Sequence, residues 1–384
     1  MEFDFDTPVS RRDTLSTKWN VGENVLPMWI ADMDFKTAPS IRETLARLTE
    51  HGIFGYSDIP AYWAESYAKW WKERHGLEIE RQNLIFCTGV IPAISTAVRR
   101  LTLPAENVLV LTPVYNIFFN SIVNNGRNVD ECPLSYSSHS YSVDFELLEE
   151  KLKNPQTTMM ILCNPHNPAG IIWSRETLMR IAALCRENGV TVFSDEIHCD
   201  ITAPSKSYVP FASVSDVAAE ISVTAISPTK AFGIPGLQSA AVFSSNRFLR
   251  HKMWRGLNTD EVAEPGSFAI DAAVAAFNGG GEWLDAMREY VFENRWITEK
   301  YIEKNIPGLY ALHSDATYLV WLDCSAFTSD SVELCRKIRG KTGLYLSCGA
   351  DYRGNGGSFL RMNIACPRST LMDGLERLKR GILC

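Results

Sequence analysis

Several patterns are missing from this chain, and each absence removes a class of function. None of its ten cysteines forms a C-x-x-C pair. Scattered thiols read as reduced, buried cysteines of a cytoplasmic protein, not as a zinc site or a disulfide framework, so no metal is expected. No apolar run is long enough to span a bilayer, which predicts no membrane partner. No long basic block is present and the formal net charge is -7, which argues against nucleic acid as a ligand. The opening Met1-Glu2-Phe3-Asp4-Phe5-Asp6 is acidic, the opposite of a secretory signal. Internal repeats and low-complexity tracts are absent too.

What is present suits a large core. Hydrophobic residues make up 46% of 384, a length that fits one large and one smaller domain. From about residue 61 to 277, short apolar stretches alternate with helical ones. Residues 84–87 precede a predicted helix over 92–101, and residues 108–111 precede a helical segment from Asn116. Residues 159–162 precede a helix over 176–188, closed by Gly189; residues 191–193, 221–226 and 240–243 complete the strands. This alternation predicts the α/β class: a mostly parallel sheet flanked by helices on both faces. Ligands of such sheets sit beyond the carboxyl ends of the strands. Gly89, Tyr115, Asn167, Asp195 and Lys230 each follow a predicted strand.

Residues 281–305 predict one long helix ended by Pro307. Strands at 318–321, 344–346 and 359–364, with helices at 330–341 and 370–381, predict a smaller α+β unit. The expected division is a large ligand-binding domain over 46–280 and a small C-terminal domain over 281–384, with residues 1–45 packing on the latter. Residues 351–358, with three glycines, read as a flexible loop.

The chemistry centres on Ser227-Pro228-Thr229-Lys230. A lysine held just past a buried strand can form a Schiff base with an aldehyde, and pyridoxal phosphate is the common biological aldehyde that needs one. That cofactor also demands a phosphate cradle, a face for its ring, an anion for its pyridine nitrogen and a donor for its ring oxygen. Gly89, joining a strand to a helix, offers backbone N–H groups to a phosphate, and Ser227 adds a hydroxyl; a simple tight turn is the alternative for Gly89. Tyr115 can stack on the ring, or be a core tyrosine. Asn167, in Asn164-Pro165-His166-Asn167-Pro168, can donate to the ring oxygen, with His166 a loop residue. Asp195 ends a very apolar strand, where a carboxylate is costly unless paired; a pyridinium would pair it, and a helix N-cap is the alternative. His198 can reach the ring-oxygen side, or be a satisfied core histidine. Arg361 lies in an apolar strand, where its fork suits a substrate carboxylate or a structural ion pair.

Together these residues resemble the fold-type I pyridoxal phosphate enzymes of the class I/II aminotransferase superfamily, across essentially the whole chain. Within it, the chain is most similar to the cystathionine β-lyase-like branch of cysteine–sulfur lyases. Met28-Trp29-Ile30-Ala31-Asp32-Met33-Asp34-Phe35, Phe54-Gly55-Tyr56-Ser57 and the stretch 359–368 carry that finer likeness. The resemblance implies that Lys230 holds the cofactor and acts as acid and base, Asp195 pairs with the ring nitrogen, and Asn167 and His198 flank the ring oxygen. It implies Tyr115 on the ring, and Gly89, Val90 and Ser227 at the phosphate. Tyr56 would reach the phosphate of a neighbouring subunit, which implies a homodimer with shared sites. Arg361 would bind the substrate carboxylate, with Asp32 also at the substrate. One departure stands out: typical aminotransferases carry an arginine eight residues after the lysine, where this chain has Gln238. The implied reaction is β-elimination from L-cystathionine or a related L-cysteine S-conjugate, giving a thiol, pyruvate and ammonia. An aminotransferase, or a catalytically silent protein of the same fold that binds a partner, are the alternatives.

Overall fold

The computed structural model describes residues 3–383; Met1 and Glu2 of the acidic start, and the tenth cysteine, Cys384, lie outside the described residues. A seven-stranded sheet runs in the order Leu84–Cys87, Ala240–Phe243, Ser222–Ile226, Thr191–Asp195, Thr157–Cys163, Asn107–Thr112 and Asn128–Pro133. Six strands share one direction, and Ala240–Phe243 runs against both its neighbours. This is the mostly parallel, helix-flanked sheet that the apolar runs predict. Period-two alternation divides the central strands between two cores. Val108 and Val110 join the cluster under helix Val90–Leu101, while Leu109 and Leu111 join the one under helix Arg175–Glu187.

Local signals set the helix ends. The Ser174 side chain accepts from the Thr177 N–H and caps Arg175–Glu187, and Gly189 follows at φ 69°. Helix Val90–Leu101 begins two residues before its expected start because Pro92, in the first turn, needs no intrahelical donor. The aromatic helix Ala61–His75 is pinned through its last turn: Trp70 Nε1 and His75 Nε2 both reach Asp200 Oδ1, at 3.0 and 2.8 Å.

The 25-residue helix Gly281–Asn305 leads into an antiparallel sheet ordered Tyr310–Ala311, Leu319–Asp323, Phe359–Asn363, Ser347–Cys348. Helices Ser331–Thr342 and Arg368–Leu383 pack together beside it. The N-terminal segment touches both units. Leu26 and Pro27 pair in parallel with Leu344 and Tyr345, and Asn363 N–H donates to the Met28 carbonyl. Helix Pro39–His51 instead packs on Ala269–Gly279 beneath the large sheet.

Residues 351–358 depart from the expected flexible loop. They fold into two 3₁₀ turns, Gly349–Tyr352 and Gly356–Ser358, with Tyr352 and Gly356 buried. The glycines serve close approach: a Cβ on Gly356 would sit 2.0 Å from the Gly349 carbonyl oxygen. Among the described residues no helix is long and apolar enough to cross a membrane.

Candidate active site

The carboxyl ends of the parallel strands surround a cavity of about 200 Å³. Gly89 and Val90 line it after Leu84–Cys87, Tyr115 after Asn107–Thr112 and Asn167 after Thr157–Cys163. Asp195 and His198 line it at Thr191–Asp195, and Lys230 after Ser222–Ile226. The antiparallel strand Ala240–Phe243 begins at this same edge, so Gln238 and Ser239 join the wall. A larger cleft of about 600 Å³ lies elsewhere, between Ile59 and helix Arg247–Thr259, and holds none of these strand-end groups.

Charge in the cavity is unbalanced in an informative way. Asp195 is 4% exposed, and the one hydrogen bond to its carboxylate comes from the Ile197 N–H at 3.1 Å. Burial pushes its carboxyl up to about 7, against the pull of that N–H and of the Lys230 charge. Arg361 is 3% exposed and faces neutral acceptors: Asn167 Oδ1 at 3.0 Å, the Trp29 carbonyl at 3.0 Å and Ser347 Oγ at 3.5 Å. Its Nε has no partner, and its guanidinium stands 5.0 Å from the Tyr352 ring centre. A buried anion without a cation and a buried cation without an anion are each costly unless a ligand completes them.

Both charges act on Lys230, whose Nζ donates to the Ala31 carbonyl at 2.6 Å. Burial lowers its pKa to about 8; Asp32 and Asp195 raise it and Arg361 lowers it further. Part of the amine is therefore neutral near physiological pH. His198 is buried, its Nδ1 has no partner, and burial with the nearby Lys230 and Arg361 charges holds its pKa down to about 3. It is a neutral ring in the cavity lining with one nitrogen free of partners. Burial pushes the Tyr115 phenol up to about 12, so it stays protonated.

Seven of the nine residues expected at a cofactor line the cavity; Ser227 and Tyr56 do not. The Ser227 hydroxyl lies 2.7 Å from both the Ser239 carbonyl and the Thr229 hydroxyl. Thr229 is the hydroxyl on the cavity side. Its position beside the lysine was a usable signal, whereas Ser239 carries none in the sequence. Tyr56 is fully exposed on the segment before helix Ala61–His75. Asp32 pairs with Arg11 at 2.6 Å beside the cavity. His166 sits behind the wall, its Nε2 donating to the Pro113 carbonyl at 2.8 Å, as a loop residue would.

The sequence motif gave Glu196 no role, yet it is fully buried and collects four donors. These are Asn164 Nδ2, Ser194 Oγ, the Tyr208 hydroxyl and the Phe211 N–H, at 3.3, 2.9, 2.9 and 2.8 Å. It ties the Asn164–Asn167 loop to the end of the Asp195 strand. The backbone of residues 29–32 has a similar role. Consecutive carbonyls accept from Arg361 and Ser347 (Trp29), Asn363 (Ile30), Lys230 (Ala31), and Lys18 and Asn363 (Asp32).

These groups fit pyridoxal phosphate. Asp195 could pair with a protonated ring nitrogen, Tyr115 could offer a ring face, and the Asn167 amide and His198 ring could offer polar contacts. The N-terminus of helix Val90–Leu101, with Thr229 and Gln238, offers an anion cradle without a cation.

The Asp195 environment sets a stability test on the ligand-free protein. Its folded pKa, about 7, lies above the ordinary aspartate value of 3.8. The folded state therefore holds a proton that the unfolded state releases, and stability falls as pH rises between those values. Glu196, raised to about 7 by burial, titrates in the same window. Asp195→Asn removes only the first contribution. The variant should gain on the wild type by a few kcal/mol as pH rises from 4 to 7, at about 1.4 kcal/mol for each step of one in pH. A pH-independent difference in urea-unfolding free energy would contradict it.

Comparison with known proteins identifies the family. The sequence model of the aminotransferase class I and II family matches residues 23–378. Cystathionine beta-lyase PatB of Bacillus subtilis is 40% identical over 384 residues, covering 98% of this chain and 99% of that protein. Protein MalY of Escherichia coli is 32% identical, covering 99% of each. Among solved structures, cystalysin of Treponema denticola, which contains a pyridoxal 5'-phosphate cofactor, superposes with a TM-score of 0.96 at 30% identity, covering 99% of each chain.

Proposed function

Because the chain belongs to the aminotransferase class I and II family, we propose that it is a pyridoxal phosphate-dependent carbon–sulfur β-lyase. It takes L-cystathionine or a related L-cysteine S-conjugate to a thiol (homocysteine from cystathionine), pyruvate and ammonia. The observation that carries the reading is the convergence of an unpaired buried Asp195, an unpaired buried Arg361 and the low-pKa Lys230. The choice of elimination over transamination draws on the relatives, of which one at 40% identity is named a cystathionine beta-lyase.

When bound, pyridoxal phosphate supplies an aldehyde for the substrate amine and an electron sink for the Cα electron pair. Asp195 keeps the sink protonated, since a carboxylate beside the ring nitrogen favours the charged form. Arg361 takes the α-carboxylate in its fork and fixes the substrate's orientation. The Asn167 side-chain oxygen accepts from Arg361, so one residue aligns the carboxylate grip and the ring-oxygen contact. The neutral Lys230 amine removes the proton from Cα, and the thiolate departs from Cβ.

The partner is a small amino acid, and the active unit is a homodimer. Ile53, Phe54, Tyr56 and Ile59 are all exposed on one segment, and a second copy would cover them. In that dimer Tyr56 donates to the cofactor phosphate of the neighbour, at the cradle that Gln238 leaves without a cation. Tyr56→Phe should weaken cofactor retention about tenfold, the worth of one hydrogen bond to a charged group, while the dimer persists. Cofactor dissociation and light scattering read the two effects separately; unchanged retention would remove Tyr56 from the phosphate. Nine unpaired cysteines among the described residues suit a reducing, cytoplasmic setting.

Acceptor-free turnover tests the reading. Purified holoenzyme is given L-cystathionine with no keto acid. Steady pyruvate release supports the lyase. Conversion of the cofactor to its amine form without pyruvate would replace it with an aminotransferase.

A further inference from the structure

The last turn of helix Ala61–His75 meets the turn at residues 197–200 in a cluster that the cofactor site does not use. His75, Cys199 and Asp200 each offer one ligand atom there, and the three atoms lie within 4.8 Å of one another. His75 and Asp200 stand 125 residues apart in the chain, so no sequence spacing announces the group. Cys199 and Asp200 are buried, and the His75 side chain is 7% exposed. The two Asp200 oxygens are unevenly served. Oδ1 meets Trp70 Nε1 at 3.0 Å and His75 Nε2 at 2.8 Å, whereas Oδ2 is buried with no hydrogen-bond partner. An unpartnered carboxylate oxygen in the interior is costly, and a bound cation offsets that cost.

All three residues line a cavity of about 90 Å³, room for an ion and a water of about 30 Å³. Arg74, Lys206 and Arg288 line it too, but their charges are already paired. Arg74 and Arg288 meet Asp285 at 2.6 and 3.1 Å, and Lys206 meets Asp315 at 3.2 Å. A thiolate, an imidazole and a carboxylate together suit a borderline-soft divalent cation, whereas calcium and magnesium favour oxygen ligands alone. Tetrahedral zinc, with bonds of about 2.0–2.3 Å, spaces its ligand atoms about 3.3–3.7 Å apart, within the span of the cluster. Trp70 holds Oδ1 and leaves Oδ2 to a metal, as the outer partners of metal ligands do.

We propose that His75, Cys199 and Asp200 form a zinc site with a water in the fourth position. Burial holds the metal-free Cys199 thiol protonated. On binding, that proton and any on His75 Nε2 pass to solvent, and the thiolate, the ring nitrogen and Oδ2 bond the cation with no electron transferred. The metal clips the end of helix Ala61–His75 to Cys199, the residue after His198 in the cofactor wall.

The test uses holoenzyme stripped with EDTA, given zinc sulfate and desalted. Elemental analysis should find about one zinc per chain, and zinc-edge X-ray absorption should show one sulfur at about 2.3 Å with nitrogen and oxygen at about 2.0 Å. Cys199→Ala should lose the sulfur and weaken zinc binding at least about tenfold, read by competition with a colorimetric chelator. The cofactor band of the variant should persist, which keeps loss of the metal apart from loss of the fold. No zinc above the EDTA-treated level, a first shell without sulfur in the wild type, or undiminished affinity in Cys199→Ala would overturn the site. Every readout is of the metal, so failure of the lyase reading would leave the result unchanged.

Discussion

Lys230→Ala should lower pyruvate release from L-cystathionine by about 10⁴-fold or more, and remove the visible band of the lysine-bound cofactor. Two functions meet at one atom. In the proposed arrangement the Nζ would hold the aldehyde between turnovers and, when freed, would take the Cα proton. No neighbour can substitute as base. Burial holds His198 down to about 3, too weak to abstract that proton. Tyr115 is pushed up to about 12 and stays protonated. Asp195 is committed to the ring nitrogen in the proposed arrangement. Lys230 alone has a pKa, about 8, that leaves a useful neutral fraction near neutrality. Turnover in the variant above about one hundredth of wild type would show another base at work.

Arg361→Ala should cut kcat/KM by about 10²- to 10³-fold, chiefly through KM. The side chain is buried and its acceptors are all uncharged, so the whole charge is available to a substrate carboxylate. Losing one partner of such a buried pair costs about 2–5 kcal/mol, which is the source of that range. Arg361→Lys should recover only part, because an ammonium lacks the bidentate fork. The cofactor band should survive in both variants, separating loss of grip from loss of fold. An unchanged KM would place the carboxylate elsewhere.

The parts of the molecule legible in the sequence are those where burial dictates residue type. Strands Ser222–Ile226 and Thr157–Cys163 are covered on both faces and read as apolar runs. Helix Gly281–Asn305 matches its expected span residue for residue, since Pro307 closes it. Polar residues placed directly after such runs converge on one cavity because parallel strands end on one edge. The rest was hidden for specific reasons. Edge strand Asn128–Pro133 has one fully buried residue, two acids and a terminal proline, which suits an edge and masks a strand. The hairpin Ser135–Ser137 with Ser140–Ser142 turns through Ser138 and His139 at φ 49° and 58°, without the usual glycine or asparagine. Gly354 and Gly356 suggested mobility, yet they permit close packing: a Cβ on Gly354 would lie 2.9 Å from the Pro113 nitrogen. Ser227, read from the motif as a phosphate donor, donates its hydroxyl to the carbonyl of Ser239, which stands just before an antiparallel strand that the local sequence does not announce.

The run of accepting carbonyls at Trp29, Ile30, Ala31 and Asp32 bears on how this enzyme tolerates mutation. Every amino acid supplies the same carbonyl oxygen. The resting place of Lys230 and one support of Arg361 are thus encoded in the route of the chain, not in the identity of any side chain along it. Alanine at Trp29, Ile30 or Asp32 would leave those acceptors in place, whereas a one-residue deletion would shift all four together. The four acceptors thus constrain the length of this ribbon independently of its side chains, of which Asp32 has its own part in pairing with Arg11.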